Sequence, residues 1–115
     1  MKIIATGGRA YKDAAYVNTV LSEIRPTIIC IGDARGLDKL VLEWAKAHSC
    51  PVKIYKAEWD KYGLAAGPLR NKKMIEENRD AEKLIAFPGG LGTKNCIQQA
   101  SRAGIAIVLC GVRNG

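Results

Sequence analysis

Five short runs of β-forming, mostly apolar residues alternate along this chain with stretches of helical period, and that alternation limits its fold more than any other feature. The runs are Lys2–Thr6, Thr27–Ile31, Val52–Tyr55, Lys83–Phe87 and Ile105–Leu109. After the first, Val17, Val20, Leu21 and Ile24 recur at i, i+3, i+4 and i+7. Leu37, Leu40, Val41, Trp44 and Ala45 repeat that spacing after the second. A third helical stretch runs from about Gly67 to Asn78, and a fourth carries Thr93, Cys96, Ile97 and Ala100 on one face. Such alternation gives parallel strands joined by right-handed crossovers. Ile28-Ile29-Cys30-Ile31 and Ile105–Leu109 are apolar throughout, the pattern of strands covered on both faces. The expected fold is α/β: a Rossmann-like, doubly wound, five-stranded parallel sheet in the order 3-2-1-4-5, with helices on both faces and residues 1–115 forming one domain.

That strand order fixes where a ligand would sit. In an open parallel sheet, ligands bind beyond the carboxyl ends of the strands, where the strand order reverses. Here the reversal lies between the first and fourth strands. The loop after the first strand is Thr6-Gly7-Gly8-Arg9, and the loop after the fourth is Pro88-Gly89-Gly90-Leu91-Gly92-Thr93. The neighbouring loop, after the second strand, is Gly32-Asp33-Ala34-Arg35-Gly36-Leu37-Asp38. Glycines allow close backbone approach, and the first N–H groups of a helix lack internal partners, so a strand, a glycine-rich turn and a helix make an anion site. Arg9 and Arg35 add planar forks suited to phosphate. The chain has neither a Gly-x-x-x-x-Gly-Lys-Ser/Thr loop nor a Gly-x-Gly-x-x-Gly fingerprint, so no standard nucleotide cofactor is indicated.

Single residues around these loops refine the expectation. Arg70 and Asn71 open the third helical stretch behind Gly67-Pro68. An arginine gains nothing from the positive end of a helix dipole, so Arg70 calls for an anion, either a protein acid or, the favoured reading, a bound phosphate. Asn71 reads a base or a ribose, or makes a local turn bond. Asp38 lies in the first turn of the second helix, where it complements the dipole, accepts from ribose hydroxyls or polarises a water. Asp33 is placed to cap that helix. Trp44 has core spacing. Trp59 and Tyr62 lie in the long irregular stretch Lys56–Ala66, positioned either to stack on a base or to pin the loop. Asp60, beside them, either approaches the same pocket or, the favoured reading, is a solvated loop acid.

The motifs Gly-Gly-Arg, Gly-Asp-Ala-Arg-Gly-Leu-Asp, Ala-Gly-Pro-Leu-Arg-Asn at 66–71 and Pro-Gly-Gly-Leu-Gly-Thr resemble the YspA/YpsA-related branch of the SLOG superfamily. That superfamily also holds the DNA-processing protein DprA (Smf) and the LOG phosphoribohydrolases. The resemblance implies a Rossmann-like domain that binds nucleotides or nucleotide-derived molecules. The loops and the residues beside them give the expected ligand contacts as Gly7, Gly8, Arg9, Gly32, Arg35, Gly36, Asp38, Arg70, Asn71, Pro88, Gly89, Gly90, Gly92 and Thr93, with the arginines and loop N–H groups on phosphate and Asp38 and Asn71 on the sugar or base. LOG enzymes carry Pro-Gly-Gly-x-Gly-Thr-x-x-Glu, and the glutamate stabilises the oxocarbenium character of N-glycosidic cleavage. Cys96 stands at that position here. Binding as a sensor, carrier or sequestering protein is therefore the leading function. An N-glycosidic hydrolase using Asp38 as its carboxylate is the alternative, and DprA-like binding of single-stranded DNA is a second.

Composition narrows the classes further. Hydrophobic residues are 48% and charged residues 25%, an ordinary globular balance. The net charge of +7 suits an anionic partner, but the lysines are dispersed and nucleic acid is not favoured. Four cysteines and a single histidine, His48, match no disulfide or zinc spacing, so buried reduced thiols and no metal are expected. The amino-terminal apolar stretch is too short for a signal peptide and no run approaches a membrane span, which places the chain in the cytoplasm. The flanks of a five-stranded sheet are short of cover, and a homo-oligomer is expected.

Overall fold

A computed structural model describes residues 1–111. Five parallel strands, β1 (Lys2–Thr6), β2 (Ile28–Gly32), β3 (Val52–Tyr55), β4 (Lys83–Ala86) and β5 (Ala106–Leu109), form one sheet in the order β3-β2-β1-β4-β5. Ile4 lies opposite Cys30 on one side and Leu84 on the other. The order expected from the alternation is the order observed. The helices are α1 (Ala14–Ile24), α2 (Leu37–Ala47), a one-turn α3 (Trp59–Tyr62), α4 (Ala66–Glu77) and α5 (Leu91–Arg102). A 3₁₀ turn at Gly63–Ala65 joins α3 to α4. The stretch Lys56–Ala66 is thus less irregular than its sequence suggests.

Successive side chains of a strand point to opposite faces, and both faces of this sheet are covered. Ile3, Ala5, Ile29, Ile31, Ile85 and Phe87 pack with Val17 and Leu21 of α1 and with Leu37, Val41 and Trp44 of α2. Ile4, Cys30, Leu84 and Ala86 pack on the other face with Met74 and Ile75 of α4 and with Cys96 and Ala100 of α5. This double burial explains the uninterrupted apolar sequence of β1, β2 and β4. The fifth strand departs from expectation. Leu109 is exposed and Ile107 and Val108 are only half-buried, because β5 pairs on one side alone and lies at the edge. An apolar run cannot by itself distinguish an edge strand from a central one.

Local chemistry sets the helix ends. Asp13 Oδ1 accepts the Tyr16 N–H at 3.0 Å and starts α1, which Arg25 closes in the left-handed conformation (φ 53°). Trp44 is core, as its spacing indicates, and its Nε1 donates to Ser22 Oγ at 3.1 Å, tying α2 to α1. None of the helices among the described residues is long and apolar enough to cross a membrane.

Candidate functional site

The loops after β1, β2 and β4 meet at the carboxyl edge of the sheet and are bonded to one another. The Gly8 N–H donates to Pro88 O at 2.9 Å, and Gly8 O accepts the N–H groups of Leu37 at 3.1 Å and Tyr11 at 3.2 Å. The β1 loop is therefore the keystone between the other two. Gly36, with φ at 76°, passes so close that a Cβ there would run into Gly8 O and the Arg9 backbone. These contacts consume the amides of Gly8 and Leu37. They leave the start of α5, where Lys94 N–H is the first to find a helical carbonyl, at Gly90 O. No side chain caps that end. The N–H groups of Leu91, Gly92 and Thr93 precede any intrahelical acceptor and carry the positive end of the helix dipole. Gly89 keeps the turn closed, since a Cβ on it would strike Thr93 Oγ1.

A polar chain runs behind this amide cluster. Arg70 Nη1 donates to Asp33 Oδ1 at 3.1 Å and to Tyr55 O at 3.3 Å. Its Nε donates to Asn71 Oδ1 at 2.9 Å. Asn71, 3% exposed, then donates through Nδ2 to Gly92 O at 3.3 Å and Asn95 Oδ1 at 3.1 Å. Gln99 Nε2 closes the chain on Asn95 Oδ1 and Pro68 O. Arg70 thus has a protein acid as its anion, one of the two partners its helix position called for. Both hydrogens of the Asn71 Nδ2 are committed inside the protein, where they hold the α5 turn in place, while Oδ1 accepts from Arg70 Nε and keeps a second lone pair. Asp33 does not cap α2, whose amino end has no side-chain cap bond. It accepts instead from Arg70 and from the Ala57 N–H, because its loop turns toward β3 and away from the helix.

Asp38 is buried at the same edge, 7% exposed, with Oδ2 accepting the Ala34 N–H at 3.0 Å. Burial pushes its carboxyl up to about 6, against the opposing pull of that hydrogen bond and of the Arg70 charge. Cys96, at the place of the LOG glutamate, is fully buried among α5 and sheet residues, and burial raises its thiol to about 11. It packs and does not reach the cavity. All four cysteines are free thiols; Cys30, Cys96 and Cys110 are buried and Cys50 is half-buried. No group of His, Cys, Asp and Glu side chains among the described residues could hold a metal ion.

Together the loops enclose a cavity of about 930 Å³, at the upper end of the size common for small-molecule sites. Gly7, Gly8, Arg9, Gly32, Asp38, Arg70, Asn71, Pro88, Gly89, Gly90, Gly92 and Thr93 line it. Arg35 is exposed and is not among the lining residues, and Gly36 serves the loop contact described above. Tyr11, Leu64, Met74 and Asn95 line the cavity without having been singled out in the sequence. Trp59 joins them, 42% exposed, with the Arg9 guanidinium 5.1 Å from its ring centre. Tyr62 is not among the lining residues, and Asp60 is exposed. A smaller hollow of about 470 Å³ lies at the amino ends of β2 and β3, between Trp44, His48 and Cys50. It has no comparable convergence of loops.

A doubly wound parallel sheet with a glycine-bounded cavity where the strand order reverses defines a Rossmann-like α/β protein. The family model for the YspA, cpYpsA-related SLOG family (YAcAr) matches residues 1–62. The chain is also 30% identical over 122 residues to the Gene 61 protein of Mycobacterium phage D29, an alignment covering 96% of each. This chain belongs to the YspA, cpYpsA-related SLOG family. The matched segment ends before α4, so the Arg70–Asn71 pair and the Pro88–Thr93 turn lie outside it. The phage relative spans them.

Proposed function

We propose that this protein binds a nucleotide or a nucleotide-derived phosphate ester in the cavity between the β1, β2 and β4 loops. One observation carries this reading: the uncapped α5 amino terminus, held against Gly8 and Asn71, faces a cavity that also contains Arg9 and Arg70. Backbone amides at a helix start are matched to a phosphate in both charge and geometry. The apolar part of the lining, from Trp59, Leu64 and Met74, suits a base. Family membership supports a nucleotide-related ligand. The fitting biological role is that of a sensor, carrier or sequestering protein.

The test is native mass spectrometry of freshly purified protein, with a thermal-shift screen of nucleoside mono- and diphosphates, ADP-ribose and cyclic nucleotides. At least one should raise the melting temperature in proportion to the logarithm of its concentration. An unshifted melt across the whole set, with no co-purified mass, refutes the reading.

The buried Asp38 favours a second reading, hydrolysis of an N-glycosidic bond. A carboxyl raised to about 6 is tuned for proton transfer near neutral pH. The assay is release of free base from a nucleoside monophosphate, and turnover unchanged in Asp38→Asn removes Asp38 from any such mechanism.

A further inference from the structure

Asp38 and Arg70 meet on the cavity wall around Gly32. A Cβ on that glycine would run into the Arg70 guanidinium and stand 3.1 Å from Asp38 Oδ2. Each side chain has one polar atom to spare. Asp38 Oδ2 is taken by Ala34, and no donor among the described residues meets Oδ1. Arg70 commits Nε to Asn71 and Nη1 to Asp33 and Tyr55, and no acceptor among the described residues meets Nη2. Yet no fully enclosed side-chain nitrogen or oxygen among the described residues lacks a partner. Both spare atoms therefore keep an opening, and both residues line the cavity.

The pair restricts what can dock there. A carboxylate repels phosphate, so the phosphate end of a ligand is directed to the α5 amides and away from Asp38. An amine would satisfy the carboxylate alone and oppose the guanidinium. A hydroxyl is at once a donor and an acceptor, and suits both. We propose that Asp38 Oδ1 and Arg70 Nη2 together hold one hydroxyl of the ligand's sugar, so that the cavity takes ribose phosphate esters in preference to their deoxy counterparts. This rests on the phosphate-ester reading of the same cavity. The hydroxyl donates its proton to the carboxylate and accepts from the guanidinium, and no bond is made or broken.

The experiment is calorimetric titration of the wild-type protein with ribose 5-phosphate and 2-deoxyribose 5-phosphate, and with AMP and GMP beside their 2′-deoxy and 3′-deoxy forms. The ribose compounds should bind about ten- to a hundredfold more tightly than at least one deoxy series, the worth of a hydrogen bond to a charged group. In Asp38→Asn that ratio should fall toward one. The wild-type comparison stands whether or not the variant folds. Equal affinity for the ribose compounds and both deoxy series overturns the hydroxyl assignment and leaves the phosphate-ester reading intact. Binding of none of these compounds overturns both.

Discussion

The side-chain amide of Asn71 donates to Asn95 Oδ1 at 3.1 Å, joining the amino-terminal halves of α4 and α5 across the back of the cavity. The same amide holds Gly92 O, so one buried residue braces the turn whose N–H groups face the candidate ligand. Asn71→Ala strands Gly92 O and Arg70 Nε and removes one of the two donors to Asn95 Oδ1. Urea denaturation should show a loss of about 2–3 kcal/mol. Phosphate-ester affinity should fall as well, because the turn that Asn71 braces loosens.

Two glycines of the same region separate conformational need from mere presence. Gly36→Ala places a Cβ against Gly8 O in a backbone with φ at 76°, and should cost ~2 kcal/mol or more. Gly90→Ala meets nothing within 4 Å and should stay within ~0.5 kcal/mol of wild type. Melting the two variants side by side checks the contrast.

Asp38→Asn should stabilise the protein at neutral pH. The folded carboxyl sits at about 6, above its ordinary 3.8, so between those values the folded state holds more protons than the unfolded one. Stability from this group is therefore greatest in acid, declines as pH rises from about 4 through 6, and is flat beyond. Asparagine retains the acceptor for Ala34 and loses the charge. The difference between variant and wild type, measured by denaturation across pH 4–8, should shift through that window by about 3 kcal/mol in favour of the variant and then level off. A flat difference curve contradicts a carboxyl held up by burial.

Trp59 offers an optical report on the cavity. The chain has two tryptophans, and Trp44 is buried in the core on α2. A ligand whose base stacks on Trp59 should change the emission of the wild-type protein. Trp59→Phe should abolish that change while leaving the Trp44 signal in place. An identical ligand response in the variant would show that the base lies elsewhere.

Thiol chemistry tests the burial pattern. Burial raises every one of the four thiols, and Cys50 is the most exposed of them, half-buried where the other three are buried. Ellman's reagent at pH 8 should label one thiol in the folded protein and four in urea.

Periodicity and glycine placement were enough to read the sheet order, the four longer helices and the three loops that meet at the carboxyl edge. Those features depend on local rules: apolar spacing fixes the buried faces, and strand-to-helix glycine turns must lie at the carboxyl edge. Partner choice was not legible in the same way. Arg70 finds its anion in Asp33, 37 positions away, and Asp33 leaves the cap that its position next to a helix suggested. Arg35 has the same chemistry as Arg9 and is equally close to a glycine, but only Arg9 faces the cavity.

The order of apolar and polar residues along the chain settled that it would form a doubly wound parallel sheet, since burying both faces of each inner strand admits few other arrangements. The three-dimensional packing alone decided which polar groups are spent inside the protein and which stay open to a ligand. A hydrogen bond has a direction and a short reach, and whether Asn71 braces or reads, or Asp38 keeps a free oxygen, depends on atoms brought together from distant parts of the chain.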